Sequence, residues 1–206
     1  MDTIFPVRWV GCGAYDAYLC GSCLAGVRIK NDSDIVGAVQ VFAAASYGDG
    51  LVEKTLKMFK YGFVKDLAGP VSDIARTYID NLPSGLRIFA GNPLLVPVPL
   101  HKRRLNWRGF NQSEVLAEKI AGAYGLELGL DILARTKNSK PQADTENRDE
   151  RLGNVAGVFR CGGDPKNRNI VLVDDICTTG ATINECAKIL AAKGAGKIKA
   201  LVIARG

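Results

Sequence analysis

The sequence predicts an α/β fold: a mostly parallel sheet with helices on its faces. Three observations carry that expectation. Strand-like and helix-like segments alternate along residues 94–204, the order that builds parallel sheets. Ile170-Val171-Leu172-Val173 is an unbroken apolar run, as a strand covered on both faces requires. The chain has 206 residues, 47% of them apolar, which supplies a sizeable core for one α/β domain and a small appendage.

Taken in order, residues 1–30 form a distinct segment rich in Gly and Cys, without helical or strand period. Residues 36–47, with Val, Phe and Tyr, read as a strand. Residues 50–61 set Leu51, Leu56, Met58 and Phe59 among lysines and read as an amphipathic helix. A second helix is expected from Val64 to Ile79, with Pro70 kinking it or sitting in its first turn. Residues 94–98 read as a short strand bounded by prolines, and Asn111 with Glu114 as a capping-box start to a helix through Ala123. Residues 135–158 are polar and without period, hence a long loop. A strand at 170–174, a helix at 181–192 and a strand at 197–204 complete the chain. In such sheets ligands lie at the carboxyl ends of strands, so chemistry is expected just after Val98 and just after Val173.

The second of these places is the most informative. After Val173 come two carboxylates, Asp174 and Asp175, expected where the strand emerges and free of core packing. Then comes a turn, Thr178-Thr179-Gly180-Ala181-Thr182, that opens a helix. A helix start offers unpaired N–H groups and the positive end of a dipole, both suited to a phosphate. Gly180 allows close backbone approach, and the threonines add hydroxyl donors. The carboxylates suit sugar hydroxyls, directly or through Mg²⁺. Turn and helix capping alone would also use these residue types, but the complete strand–acid–turn–helix order favours the ligand.

This segment resembles the phosphoribosyl pyrophosphate (PRPP) signature of type I phosphoribosyltransferases. The resemblance implies that Asp174 and Asp175 take the ribose hydroxyls. It assigns the 5′-phosphate to Thr178, Thr179, Gly180, Ala181 and Thr182.

The first place, after Val98, carries Lys102, Arg103, Arg104 and Arg108, read as a cationic loop. Such a cluster can neutralise a pyrophosphate, grip a nucleic-acid backbone with Trp107 and Phe110 stacking bases, or be a solvated surface loop. The wording is more specific than the charge. Pro97-Val98-Pro99-Leu100-His101, then Arg108-Gly109-Phe110-Asn111-Gln112 and Leu116-Ala117, resemble the ComF/GntX family. So do Lys57, Lys60, Tyr61 and Gly62, and the series Arg135, Gln142, Arg151, Asn154, Val155 and Phe159. The likeness covers nearly the whole chain. It implies a type I phosphoribosyltransferase-like domain over 31–206, a pyrophosphate loop after Val98, and a flexible hood at 135–158 bearing Arg135, Gln142 and Arg151. His101, the single histidine, is expected to hydrogen-bond or pack rather than act as a base, and Cys177 to be a spacer.

The family also has paired Cys-x-x-Cys elements at the N-terminus. Here Cys20-Gly21-Ser22-Cys23 is intact, but Trp9 stands where a partner of Cys12 is expected. Three thiolates, Cys12, Cys20 and Cys23, are candidate zinc ligands of a degenerate knuckle within residues 1–30. A structural zinc takes four ligands, so binding is expected to be weak unless Asp16, Asp2 or water completes the site.

The net charge of +6 suits a polyanionic ligand. The start of the chain does not read as a signal peptide and no segment reads as a membrane span, so a cytoplasmic protein is expected. Two functions follow from the resemblance. One is PRPP-dependent transfer of a phosphoribosyl group to a nitrogenous acceptor, with Mg²⁺ and release of pyrophosphate. The other is a non-catalytic nucleotide- or single-stranded-DNA-binding role in competence and DNA uptake, with competence proteins as partners.

Overall fold

Period-two burial organises the molecule, seen here as a computed structural model that describes residues 11–12, 18–62, 64–82, 88–137 and 157–206. A short helix, α1 (Gly21–Ala25), precedes the sheet. Strands β1 (Asp34–Val36) and β2 (Val39–Ser46) pair antiparallel through a turn at Gly37 and Ala38. The sequence reading had one strand here. Gly37 breaks it, with φ of 64°. Helix α2 (Gly50–Tyr61) starts at Asp49, whose carboxylate accepts from the N–H groups of Leu51 and Val52. Helix α3 (Ala68–Asn81) carries Pro70 in its first turn, where no N–H is needed. Strand β3 (Leu94–Pro97) is followed by α4 (Lys102–Arg108) and α5 (Gln112–Tyr124).

Residues 102–108 are thus a two-turn helix and not the loop expected from charge. His101 makes this possible as N-cap, its Nδ1 accepting from the Arg103 N–H at 3.2 Å, and Gly109 ends the helix with φ of 79°. An antiparallel ribbon of β4 (Leu133–Arg135) and β5 (Phe159–Cys161) closes the base of the expected hood. Residues 138–156, with Gln142 and Arg151, lie outside the described residues. Strand β6 (Ile170–Cys177), helix α6 (Ala181–Ala192) and strand β7 (Ile198–Arg205) complete the fold.

The five-stranded sheet has the order β1-β2-β7-β6-β3, parallel except for β1. Alternate residues build its two cores. Phe42, Ala44, Val171, Val173, Leu201 and Ile203 pack against α2, α3 and α5. Val41, Ala43, Ile170, Leu172, Ala200 and Val202 pack against α6 and the ribbon. The segment before the sheet joins the first core through Leu19 and Val27. No helix among the described residues is long and apolar enough to cross a membrane.

Tyr78 sits fully buried on α3 and donates its hydroxyl to the Asp32 carbonyl, tying α3 to the chain entering β1. Tyr78→Phe keeps the packing but leaves that carbonyl short of a donor, at a cost of about 1–2 kcal/mol. The urea midpoint should fall with an unchanged slope; an unmoved midpoint would show the bond to be dispensable.

Candidate functional site

The end of β3 opens the site. β3 stops at Pro97, paired with Val173, and the Val98 N–H takes the Val173 carbonyl at 2.9 Å. β6 runs on to Cys177 along β7. Asp174 and Asp175 therefore lie inside a strand, correcting the expectation that they sit where it ends. Beside them is a cleft of about 650 Å³.

Parity decides what each acid meets. Asp175 continues the face of Val171 and Val173, towards α2 and α5. It is buried, and its Oδ1 pairs with Lys60 Nζ at 2.9 Å. Asp174 is half-buried. Its Oδ1 accepts from Ser113 Oγ at 2.8 Å and from the Asp175 N–H at 2.9 Å. Burial first, then the neighbouring Asp175 carboxylate, push the Asp174 carboxyl up to about 7. The acids thus carry packing and charge pairing that the sequence reading did not give them.

The motif Arg108-Gly109-Phe110-Asn111-Gln112-Ser113 is a chain of local tasks. Arg108 Nη1 donates to Gln112 Oε1 at 2.9 Å, and its guanidinium stands 5.3 Å from the Tyr61 ring centre. Phe110 packs into the core on Phe59, 5.6 Å between ring centres, and is not a stacking surface. Asn111 caps α5 and donates to the Val98 carbonyl, while Gln112 donates to the Phe59 carbonyl of α2. Ser113 then delivers its hydroxyl to Asp174.

The cleft gathers Asp174, Asp175, Thr178 and Thr182 with Arg104, Arg108 and Arg135. Of the four cations expected on the basic segment, Arg104 and Arg108 line the cleft; Lys102 and Arg103 are exposed on α4 and do not. Buried Arg108 Nε has no hydrogen-bond partner among the described residues, as suits a site awaiting an acceptor. Arg135 rests 5.1 Å from the Phe159 ring centre, and burial and the nearby Arg104 lower its pKa from the usual guanidinium value. Trp107 and Tyr61 are 57% and 50% exposed on the rim, 6.4 Å apart.

The threonine turn is shaped by what lies behind it. Gly180 has φ of 77°, and a Cβ there would meet Val36 Cγ1 of β1 at 2.1 Å. Thr179 Oγ1 accepts from the Ala181 N–H at 3.4 Å. Cys177 is buried, and burial raises its thiol pKa, so the helix start does not activate it. His101 stays outside the cleft as a helix cap.

Oxygen donors suit Mg²⁺. Both acids present carboxylate oxygens at the cleft, with Asp174 Oδ1 bonded to Ser113 and the Asp175 N–H and Asp175 Oδ1 paired with Lys60. Outside the cleft lining, Cys12, Cys20 and Cys23 hold their sulfurs within 4.8 Å of one another, with Cys12 and Cys20 at 3.9 Å. A tetrahedral zinc with bonds of about 2.3 Å spaces its sulfurs by nearly that distance, so the three fit as ligands. The Ser22 hydroxyl and the Cys23 N–H lower the Cys20 thiol to about 6, towards the thiolate a metal needs. Trp9, Asp2 and Asp16 lie outside the described residues.

Sequence reasoning quoted Lys60 and Gln112 only as family wording and did not single out Ser113 or Tyr47, which also lines the cleft. Lys60 follows Leu56 and Phe59 on a core-facing stripe. That is a legible signal that it points inward; nothing in sequence says that its partner is Asp175.

Residues 111–206 match the family model for the phosphoribosyl transferase domain. The chain is 41% identical over 110 residues to Competence protein ComFC of Streptococcus pneumoniae, covering 53% of this chain and 47% of that protein. It is 26% identical over 205 residues to Competence protein F of Haemophilus influenzae, 94% of this chain and 82% of that one. Residues 111–206 thus carry the likeness to the phosphoribosyl transferase domain, and the chain is similar to the competence proteins of the ComF type. A further relative is DNA utilization protein YhgH of Escherichia coli K12, 32% identical over 111 residues, 54% of this chain and 48% of that one. The match thus spans about half the length of the pneumococcal and E. coli relatives. Among solved structures the chain is similar to glutamine PRPP amidotransferase from B. subtilis, with TM-score 0.47 and 16% identity over 71% of this chain and 30% of that one. It is also similar to a purine phosphoribosyltransferase from Pyrococcus horikoshii, with TM-score 0.36 and 14% identity over 71% and 85%.

Asp174 yields a pH prediction. Its folded pKa lies above the unfolded value, so the folded state holds a proton that the unfolded chain releases. That contribution is complete below about pH 4 and is lost as pH rises through about 7. Asp174→Asn does not titrate and keeps an acceptor for Ser113. Its urea midpoint relative to the unaltered protein should therefore rise between about pH 5 and about pH 8. A difference that stays constant across that range would remove Asp174 as the raised group.

Proposed function

We propose that the protein binds PRPP with Mg²⁺ in this cleft and transfers the phosphoribosyl group to a nitrogenous acceptor. The observation that carries this reading is the meeting of two chemistries on one cleft: the acid pair with the threonine turn, and Arg104, Arg108 and Arg135. Asp174 and Asp175 accept from the ribose hydroxyls. Thr178, Thr179, Gly180, Ala181 and Thr182 receive the 5′-phosphate at the start of α6. Arg104 and Arg108 face the pyrophosphate, and Arg135 approaches from the ribbon that leads to the proposed hood. Mg²⁺, when bound, neutralises pyrophosphate charge. As the bond from C1 of the ribose to the pyrophosphate oxygen breaks, the acceptor nitrogen forms its bond to C1 and loses a proton to solvent. The protein contributes positioning and electrostatic stabilisation of developing charge. Residues 1–30 are the degenerate knuckle, in which Cys12, Cys20 and Cys23 hold zinc only weakly, because three thiolates leave one place of a four-ligand site open.

The second reading takes support from the relatives named for competence and DNA utilization and from exposed Trp107 and Tyr61 beside α4. Bases stacked on these rings, with Lys102 and Arg103 along the backbone, would make the cleft part of a single-stranded DNA path.

Pyrophosphate release from PRPP, measured with Mg²⁺ against a panel of bases and amines, separates the two. Acceptor-dependent release supports transfer. PRPP binding without release for any acceptor, with DNA affinity falling steeply as salt rises, supports the second. In either case Asp174→Asn combined with Asp175→Asn should weaken PRPP binding by about a hundredfold or more in calorimetry. Unchanged affinity in the folded double variant would overturn the assignment. Its unliganded melting temperature should also move, because Asp175→Asn leaves Lys60 without its charge partner.

A further inference from the structure

We propose that Arg205, at the end of β7, is a positioning residue that aims the proposed phosphate turn, and that the β1–β2 hairpin holds it there. The inference rests on the phosphoribosyl reading of that turn. Arg205 Nη1 donates to the Thr178 carbonyl at 3.1 Å and to Cys177 Sγ at 3.3 Å. Its Nε pairs with Asp34 Oδ2 of β1 at 3.2 Å. The planar guanidinium serves the two partners from separate nitrogens held in a fixed fork, whereas the donors of an ammonium all radiate from one nitrogen.

The consequence follows from peptide geometry. A trans peptide unit directs its C=O and its N–H in opposite directions. Fixing the Thr178 carbonyl on Arg205 therefore turns the Thr179 N–H away from Arg205. Arg205 does not line the cleft, whereas Thr178 and Thr182 do. The donor is thus set towards the ligand side before any ligand arrives. An N–H already aimed at an anion needs no reorganisation when the anion binds.

Three contacts join the hairpin to the turn. Asp34 holds Arg205. Val36 lies directly behind Gly180, where no Cβ would fit. Asn184 on α6 accepts from the Ala38 N–H at 3.3 Å and donates to the Gly180 carbonyl at 3.0 Å. The hairpin lies at the edge of the sheet away from β3 and outside the cleft, so its residues act through the turn and not on the ligand.

The test separates the two halves of the proposed ligand. Affinities for ribose 5-phosphate and for Mg²⁺-pyrophosphate are measured by calorimetry on the full chain. Arg205→Met should weaken ribose 5-phosphate binding by about tenfold or more, the effect of misaiming one charge-assisted donor, and leave pyrophosphate unchanged. Asp34→Ala keeps the arginine but frees its Nε. It should weaken ribose 5-phosphate in the same direction by less, and it carries the test if the Met variant does not fold. Arg205→Lys, with one donor head for two partners, should restore only part of the affinity. Equal losses for both ligands would mark a merely structural role and overturn the inference, as would no loss for either. If the unaltered protein binds neither ligand, the phosphoribosyl reading itself fails and this inference with it.

Discussion

The site exists because one strand outlasts its neighbour. Where β3 ends at Pro97, β6 continues along β7 for the stretch that carries both acids. Backbone pairing on the β7 side keeps Asp174 and Asp175 on a rigid element. The end of pairing on the β3 side leaves room for the cleft. A site on a strand holds its geometry better than one on a loop. The cost is that a carboxylate facing the helical core cannot stay unpaired. Lys60 meets that requirement from α2, and Ser113 serves the other acid from α5. Two helices distant in sequence are thereby fixed around one pair of adjacent residues.

The same need for satisfaction explains the dense motif after α4. Asn111 joins the start of α5 to the end of β3, and Gln112 joins it to the last turn of α2. Both are buried, and each donates its side-chain amide N–H to a backbone carbonyl. Polar residues inside a domain are costly unless paired. Here the pairing locks α2, β3 and α5 into the geometry that lets Lys60 and Ser113 reach the acids.

Much of the fold was legible because its signals are local. The boundaries of α6 follow from the turn and the helical period, and those of α2 and α5 from Asp49, Asn111 and the apolar stripes. The misreadings share one cause. Arginine density suggested a loop at 102–108, but helix or loop there depends on capping by His101 and Gly109, which charge does not report. The strand at 170–174 was ended at the first charged residue. In the structure Lys60 and Ser113 supply the partners that let charge enter a strand, so β6 continues. Phe110 looked available for stacking because only packing reveals that Phe59 already covers it.

By itself, the sequence determined the alternation of elements, the strand–acid–turn–helix order and the residue types that suit a phosphoribosyl group. These depend on neighbours along the chain and on side-chain chemistry, both of which are written linearly. Tertiary structure alone decided which cations face the cleft, sorting Arg104 and Arg108 from Lys102 and Arg103 by the rotation of α4. It alone brought Lys60 to Asp175, Ser113 to Asp174 and Arg205 to Thr178. Those contacts join residues far apart in sequence, and their existence depends on sheet order and strand parity, which no local pattern encodes.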